Sequence, residues 1–136
     1  MKKALAGLII LAIIAGAVYL LTPGEKNEDY IRIHIRANSN SEADQSIKLV
    51  VRDAVVNYLT PLLAQAETTE KAKKVLKANL KELENIARNI LAENGFGYGA
   101  EAVFRMEAFP ARSYGSLTLD KGFYDALIIA LGSAAG

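Results

Sequence analysis

YIRIHIRANSNSEADQSIKLVVRDAVV, the stretch Tyr30–Val56, changes period once, and that change decides the fold. Its first part alternates strictly, with Ile31, Ile33 and Ile35 on one side and Arg32, His34 and Arg36 on the other. Period two is the pattern of a half-buried strand. Ala37-Asn38-Ser39-Asn40-Ser41 then breaks the strand, because these short polar side chains bond to nearby backbone and favour turns and caps. Ser39 followed by Glu42 fits a capping box. A helix is therefore predicted from Ser41 or Glu42 to about Tyr58, and the strand–elbow–helix unit is what the remaining chain must pack against.

On that helix, steps of about 100° place Ile47, Val50, Val51, Ala54 and Tyr58 on one stripe, the expected core face. Leu49 and Val56 form a second apolar group across from it, either covered by later chain or left as a strip for a partner. Thr60-Pro61 is expected to interrupt the helix. After a connection over Ala64–Thr69, with Thr68 or Thr69 as cap, a second helix is predicted as far as Glu93, stopping at Asn94-Gly95. Its apolar stripe is Ala72, Val75, Leu76, Leu80, Leu83, Ile86, Ala87, Ile90 and Leu91. Lys74, Lys77, Lys81 and Arg88 line the opposite face, but Glu70, Glu82, Glu84 and Glu93 dilute them, so a solvated face is expected in preference to a lipid- or polyanion-binding one.

Gly95, Gly97 and Gly99 follow a helix and precede a strand, the reverse of a dinucleotide fingerprint. Glu101–Phe109 alternates and reads as a strand ended by Pro110. Tyr114–Leu119 is a short strand candidate, and Asp120-Lys121-Gly122 a turn. Phe123–Leu131 is nearly all apolar, which fits a strand buried on both faces or a short helix. The expected class is α+β: two long helices packed on a small sheet of three or four strands, preceded by an N-terminal signal or membrane-anchor helix.

That leader is residues 1–24. Lys2 and Lys3 precede an uncharged apolar run, Ala4–Leu21, closed by Thr22-Pro23-Gly24. The run is 18 residues, short for a span and long for a signal core, so cleavage near Ala15-Gly16-Ala17 and retention both stay open. Either way the lysines stay in the cytoplasm and a single domain over residues 25–136 is expected outside it. Without Lys2 and Lys3 that domain carries 14 bases against 15 acids, a net charge of −1, which argues against nucleic acid as partner. There is no cysteine, hence no disulfide and no thiol chemistry.

Catalytic groups do not assemble in the sequence. His34, the single histidine, stands between two arginines, a poor setting for a metal ligand or a base. Asp44 and Asp53 lie about 180° apart on their helix and cannot act on one bond. Asp44, Lys48 and Arg52 form one charged line at four-residue spacing, as ordinary helix pairing would. No serine has a histidine and an acid at recognisable spacing. No enzyme activity, cofactor, metal site or small-molecule substrate is expected.

Two segments resemble the stage II sporulation protein R family of endospore-forming bacteria. The first is Arg36-Ala37-Asn38-Ser39-Asn40-Ser41 with Asp44-Gln45, Lys48 and Val51-Arg52-Asp53-Ala54-Val55. The second is Phe109-Pro110, Tyr114-Gly115, Gly122-Phe123-Tyr124, Ala126-Leu127 and Gly132. The family usually has a proline in the turn occupied here by Asp120-Lys121-Gly122, and it continues past Gly132 with a segment rich in tryptophan, cysteine, phenylalanine and proline. On that comparison the chain to Gly136 is expected to be a truncated product or fragment. The resemblance implies a protein exported from the forespore into the intermembrane space. There it activates a membrane-embedded aspartic protease that processes the sigma-E precursor in the mother cell. The candidate partner-binding residues are Asn38, Ser39, Asp44, Gln45, Lys48, Arg52 and Asp53. A membrane-tethered structural adaptor and an envelope hydrolase are the alternatives.

Overall fold

The computed structural model describes residues 30–136, and the backbone of residues 10–14 and 17–21. Most of the predicted leader, residues 1–9, 15–16 and 22–24, lies outside the described residues. In chain order the elements are β1 (Ile10–Ile14), β2 (Ala17–Leu21), β3 (Ile31–Arg36), α1 (Glu42–Leu63), α2 (Thr69–Ala78), α3 (Leu80–Glu93), β4 (Ala100–Phe109), β5 (Arg112–Tyr114), β6 (Leu117–Leu119) and β7 (Gly122–Leu131). The class is α+β, as expected. Among the described residues no helix is long and apolar enough to cross a membrane.

The sheet runs β1-β2-β3-β7-β4. The sheet is mixed at β7, which is parallel to β3 with Ile33 beside Leu127, and antiparallel to β4 with Ala102 beside Ile129. The last strand in sequence is thus an interior one, between β3 and β4. That position explains its composition: Ala126, Leu127, Ile128 and Ile129 are all buried, as a strand covered on both faces requires. Ile31, Ile33, Ile35, Leu127 and Ile129 meet the helices in one core. β5 and β6 form a separate two-stranded ribbon where a single strand was predicted, because Gly115 takes φ +60 and folds the segment back on itself.

Three helix predictions are corrected. The α1 cap is Ser41, not Ser39: its hydroxyl accepts the Asp44 N–H at 3.1 Å. The helix also continues through Pro61 to Leu63. Proline deletes one backbone bond there, but Leu59 and Leu63 are buried on either side of it. The buried row of α1 is Ile47, Val51, Val55, Leu59 and Leu63. Strict four-residue spacing turns the row by about 40° per step, so it winds around the helix. Val50, predicted to be core, is therefore exposed (48%), while Val56 packs on the core and Leu49 stays exposed (40%).

The second long helix is in fact two, α2 and α3, divided at Asn79. The Asn79 side chain is held from both sides: Oδ1 accepts the Tyr58 hydroxyl at 2.6 Å, and Nδ2 donates to the Val75 carbonyl at 2.8 Å. Its backbone sits at φ −109, ψ 12, outside the helical basin, so the following turn starts afresh. The apolar stripe survives the break, with Ala72, Leu76, Leu83, Ala87 and Leu91 fully buried. Thr68 caps α2 by accepting from the Lys71 N–H. Gly95, at φ +83, ends α3: its N–H reaches Ala92, and the Phe96 N–H reaches Leu91 at 2.9 Å, a Schellman closure.

Tyr58→Phe removes the hydroxyl that fixes the Asn79 break. We expect a loss of about 1 kcal/mol with an unchanged denaturant slope, measured by urea unfolding.

Candidate functional site

Because β3 and β7 are parallel neighbours, their carboxyl ends emerge side by side. The elbow Ala37–Ser41 leaves one end and Gly132–Gly136 leaves the other. Asn38 joins the two. Its side-chain oxygen accepts the Ser133 N–H at 2.8 Å, and its backbone oxygen accepts the Ser133 hydroxyl at 2.9 Å and the Ala135 N–H at 3.1 Å. The Gly136 N–H donates to the Ala37 carbonyl at 3.0 Å. Gly132 is a structural necessity, with φ +58 and an added β-carbon lying 2.2 Å from Asn38 Oδ1.

The Asp44 carboxylate sits under this elbow, buried. Oδ2 accepts from Asn38 Nδ2 at 2.9 Å and from Ser39 Oγ at 2.6 Å, and Oδ1 accepts the Tyr98 hydroxyl. Ser39 Oγ in turn accepts the Ser41 N–H at 3.1 Å, and the Ser39 carbonyl accepts from Gln45 Nε2 at 3.1 Å. The donors decide the charge state. The Ser39 hydroxyl first, then Tyr98 and Asn38, hold the Asp44 carboxyl down at about 2, well below the usual carboxylate value. The positive end of the α1 dipole adds to this preference. Burial, and then the bond to Asp44, push the Tyr98 phenol up.

Of the seven candidate residues, the structure gathers Asn38, Ser39, Asp44 and Gln45 into one network. Lys48, Arg52 and Asp53 lie apart from it, along α1. Arg52 does not join a line with Asp44 and Lys48; its Nε and Nη2 both donate to the adjacent Asp53, at 3.1 and 2.9 Å. Exposed Leu49 and Val50 lie among these charges, so α1 offers a mixed apolar and charged surface. Sequence reasoning missed Tyr98 and Ser133. The available signal for Tyr98 was an aromatic set among three glycines in a loop, a poor place for it unless the ring has a partner.

On the sheet face away from the helices, Arg32 is buried (2%), its guanidinium 4.0 Å from the Phe109 ring centre and 4.8 Å from that of Tyr124. The predicted exposed face of β3 is thus partly inside. Burial, and then Arg36, lower the pKa of His34. An open depression beside Gly99 and Gly132 holds two acids, Glu84 and Glu101. Glu84 is already committed, accepting the Ala102 N–H at 2.9 Å and lying 3.7 Å from Arg88. Among the described residues no three metal-binding side chains converge.

Two outcomes follow from this network. An acid whose folded pKa is depressed adds stability above its unfolded value near 4, and that contribution disappears as pH falls toward about 2. Urea midpoints of the wild type should therefore drop between about pH 4 and 2, and Asp44→Asn should be weaker at pH 7 and lose this share of the acid sensitivity. Gly132→Ala should cost about 3 kcal/mol or more through the clash with Asn38. Gly95→Ala, with φ +83 but open space around the added carbon, should cost only about 1 kcal/mol.

A family profile described as stage II sporulation protein R matches residues 27–136. The stage II sporulation protein R of Bacillus subtilis (strain 168) is 33% identical over 106 residues, covering 78% of this chain and 47% of that protein. The chain thus spans about half the length of that relative. No solved structure matches it significantly. The elbow, the Asp44 network and the glycine after β7 all lie inside the matched region, and the chain belongs to the stage II sporulation protein R family.

Proposed function

We propose that this domain is an exported sporulation signal that acts by contact. In this reading it reaches the space between forespore and mother cell behind the leader of residues 1–24, which is either cleaved or kept as an anchor through residues 4–21. It then binds a membrane-embedded protease and activates it, and that protease processes the sigma-E precursor. Family membership supports the sporulation role. The observation that supports contact through α1 is the division of the seven residues.

Asn38, Ser39, Asp44 and Gln45 hold the fold together through bonds to one another and to the segment after β7. Exposed Asp53 and half-buried Lys48 and Arg52, with exposed Leu49 and Val50 beside them, lie outside that network and are the side chains left to meet a partner. Charge with interspersed apolar groups suits a protein surface, where charges set orientation and apolar area supplies affinity.

The test is precursor cleavage in sporulating cells carrying Arg52→Ala or Asp53→Ala. Asp53 is exposed (62%), so Asp53→Ala should melt within a few degrees of wild type, whereas Arg52, with a side chain only 18% exposed, also loses packing on truncation and should melt somewhat lower while still folding. Cleavage should nevertheless slow severalfold. Normal cleavage by both folded variants would place the contact elsewhere.

A further inference from the structure

Among the described residues β4 is an edge strand, and its outward backbone is covered over one half only. Ala100 and Ala102 turn their N–H and C=O groups away from β7, as do the other even-numbered residues of the strand. α3 meets the first half: Arg88 Nε donates to the Ala100 carbonyl at 3.0 Å, and Glu84 accepts the Ala102 N–H at 2.9 Å. This clamp ends there. Phe104, Met106 and Ala108 present the next outward groups with no helix side chain bonded to them. Beside this open half are the two most exposed large apolar side chains of the described residues, Met106 (62%) and Phe123 (71%).

We infer that the open half of β4 pairs antiparallel with the same half of a second copy of this chain, about a two-fold axis through Met106. The register follows from three features. Residues with outward backbone must face one another, so Met106 opposes Met106 and Phe104 opposes Ala108 of the other copy, each a hydrogen-bonded pair. The alternative axis through Val103 would need the outward groups of Ala102, which Glu84 already occupies. Centring on Met106 also sets Arg105 opposite Glu107 of the second copy twice, at the non-hydrogen-bonded positions where cross-strand side chains come closest.

Arg105 and Glu107 already attract within one strand, at 3.3 Å, and the arginine side chain is more than half exposed. On the helix side, Phe123 lies beside Ala108 of its own sheet. The small alanine leaves the ring a path towards Phe104 of the other copy, which removes both exposed apolar groups from water. A second copy supplies what the edge needs, an extended strand of matching charge and matching open backbone.

The chain has no cysteine, so a single introduced thiol reports on the register. In the full chain, held in mild detergent and oxidised gently, Met106→Cys should form a disulfide dimer at least about tenfold faster than Lys121→Cys in an exposed turn. Opposed residues of a hydrogen-bonded pair stand about 5.5 Å apart, within disulfide reach. Arg105→Glu should slow the Met106→Cys reaction about tenfold, and Arg105→Glu with Glu107→Arg should restore it to within about twofold. Cross-linking of Met106→Cys no faster than the turn control would overturn the inference, as would a charge exchange that fails to restore the rate.

Discussion

A buried carboxylate sets the terms for this domain. Placing ionised Asp44 out of water is costly unless its oxygens are bonded, and the fold meets that cost with three side-chain donors from two places: Asn38 and Ser39 of the elbow and Tyr98 of the loop before β4. No donor is dispensable without leaving charge undersatisfied. The elbow must therefore take one shape, α1 must start where Asp44 reaches it, and the loop after α3 must return to the same point. A polar cluster of this kind contributes less to net stability than to fixing a single arrangement of the parts around it.

The topology reinforces that constraint. β7 enters the sheet last and lies between β3 and β4, so the elbow is completed only when residues far apart in sequence meet, Asn38 and Ser133 above all. Helices α1 to α3 are local and can form early, whereas the parallel β3–β7 pair and the Asn38 bonds must wait for loop closure across most of the domain. Gly132 belongs to this late step. Its backbone turns through the left-handed region with Asn38 pressed against it, which only a residue lacking a side chain allows.

Much of this was readable from residue order. Alternation located β3 and β4, the apolar run over Phe123–Leu131 allowed a strand covered on both faces or a short helix and is the strand β7, and the stripe from Ala72 to Leu91 named the core of α2 and α3. What escaped was set by contacts between distant residues. Asn79 breaks a helix because Tyr58, on another helix, holds its side chain. Pro61 fails to stop α1 because buried leucines flank it. The row on α1 was misplaced because its true spacing is four, and an averaged projection smears a winding row into a straight one. The site divided in the same manner: the family resemblance pointed to residues from Asn38 to Asp53, but only the packing separates those that hold the elbow from those that lie outside it. Tyr98 had no local pattern to betray it.

The difference lies in what each charged or polar group is bonded to. Asp44, Asn38, Glu84 and Arg88 carry the chemistry expected of a site, and they are spent on backbone groups and elbow donors that have no other source of satisfaction. Removing such a residue exposes an unpaired buried group, so selection for folding alone is enough to account for it. Arg52 with Asp53, and Arg105 with Glu107, bond only to other charged side chains and to no backbone group, and pairs of that kind at the edge of solvent are worth little to the fold. Their arrangement can change without unfolding the domain. This second group is set beside the few apolar side chains the core leaves outside, and the fold does not depend on it.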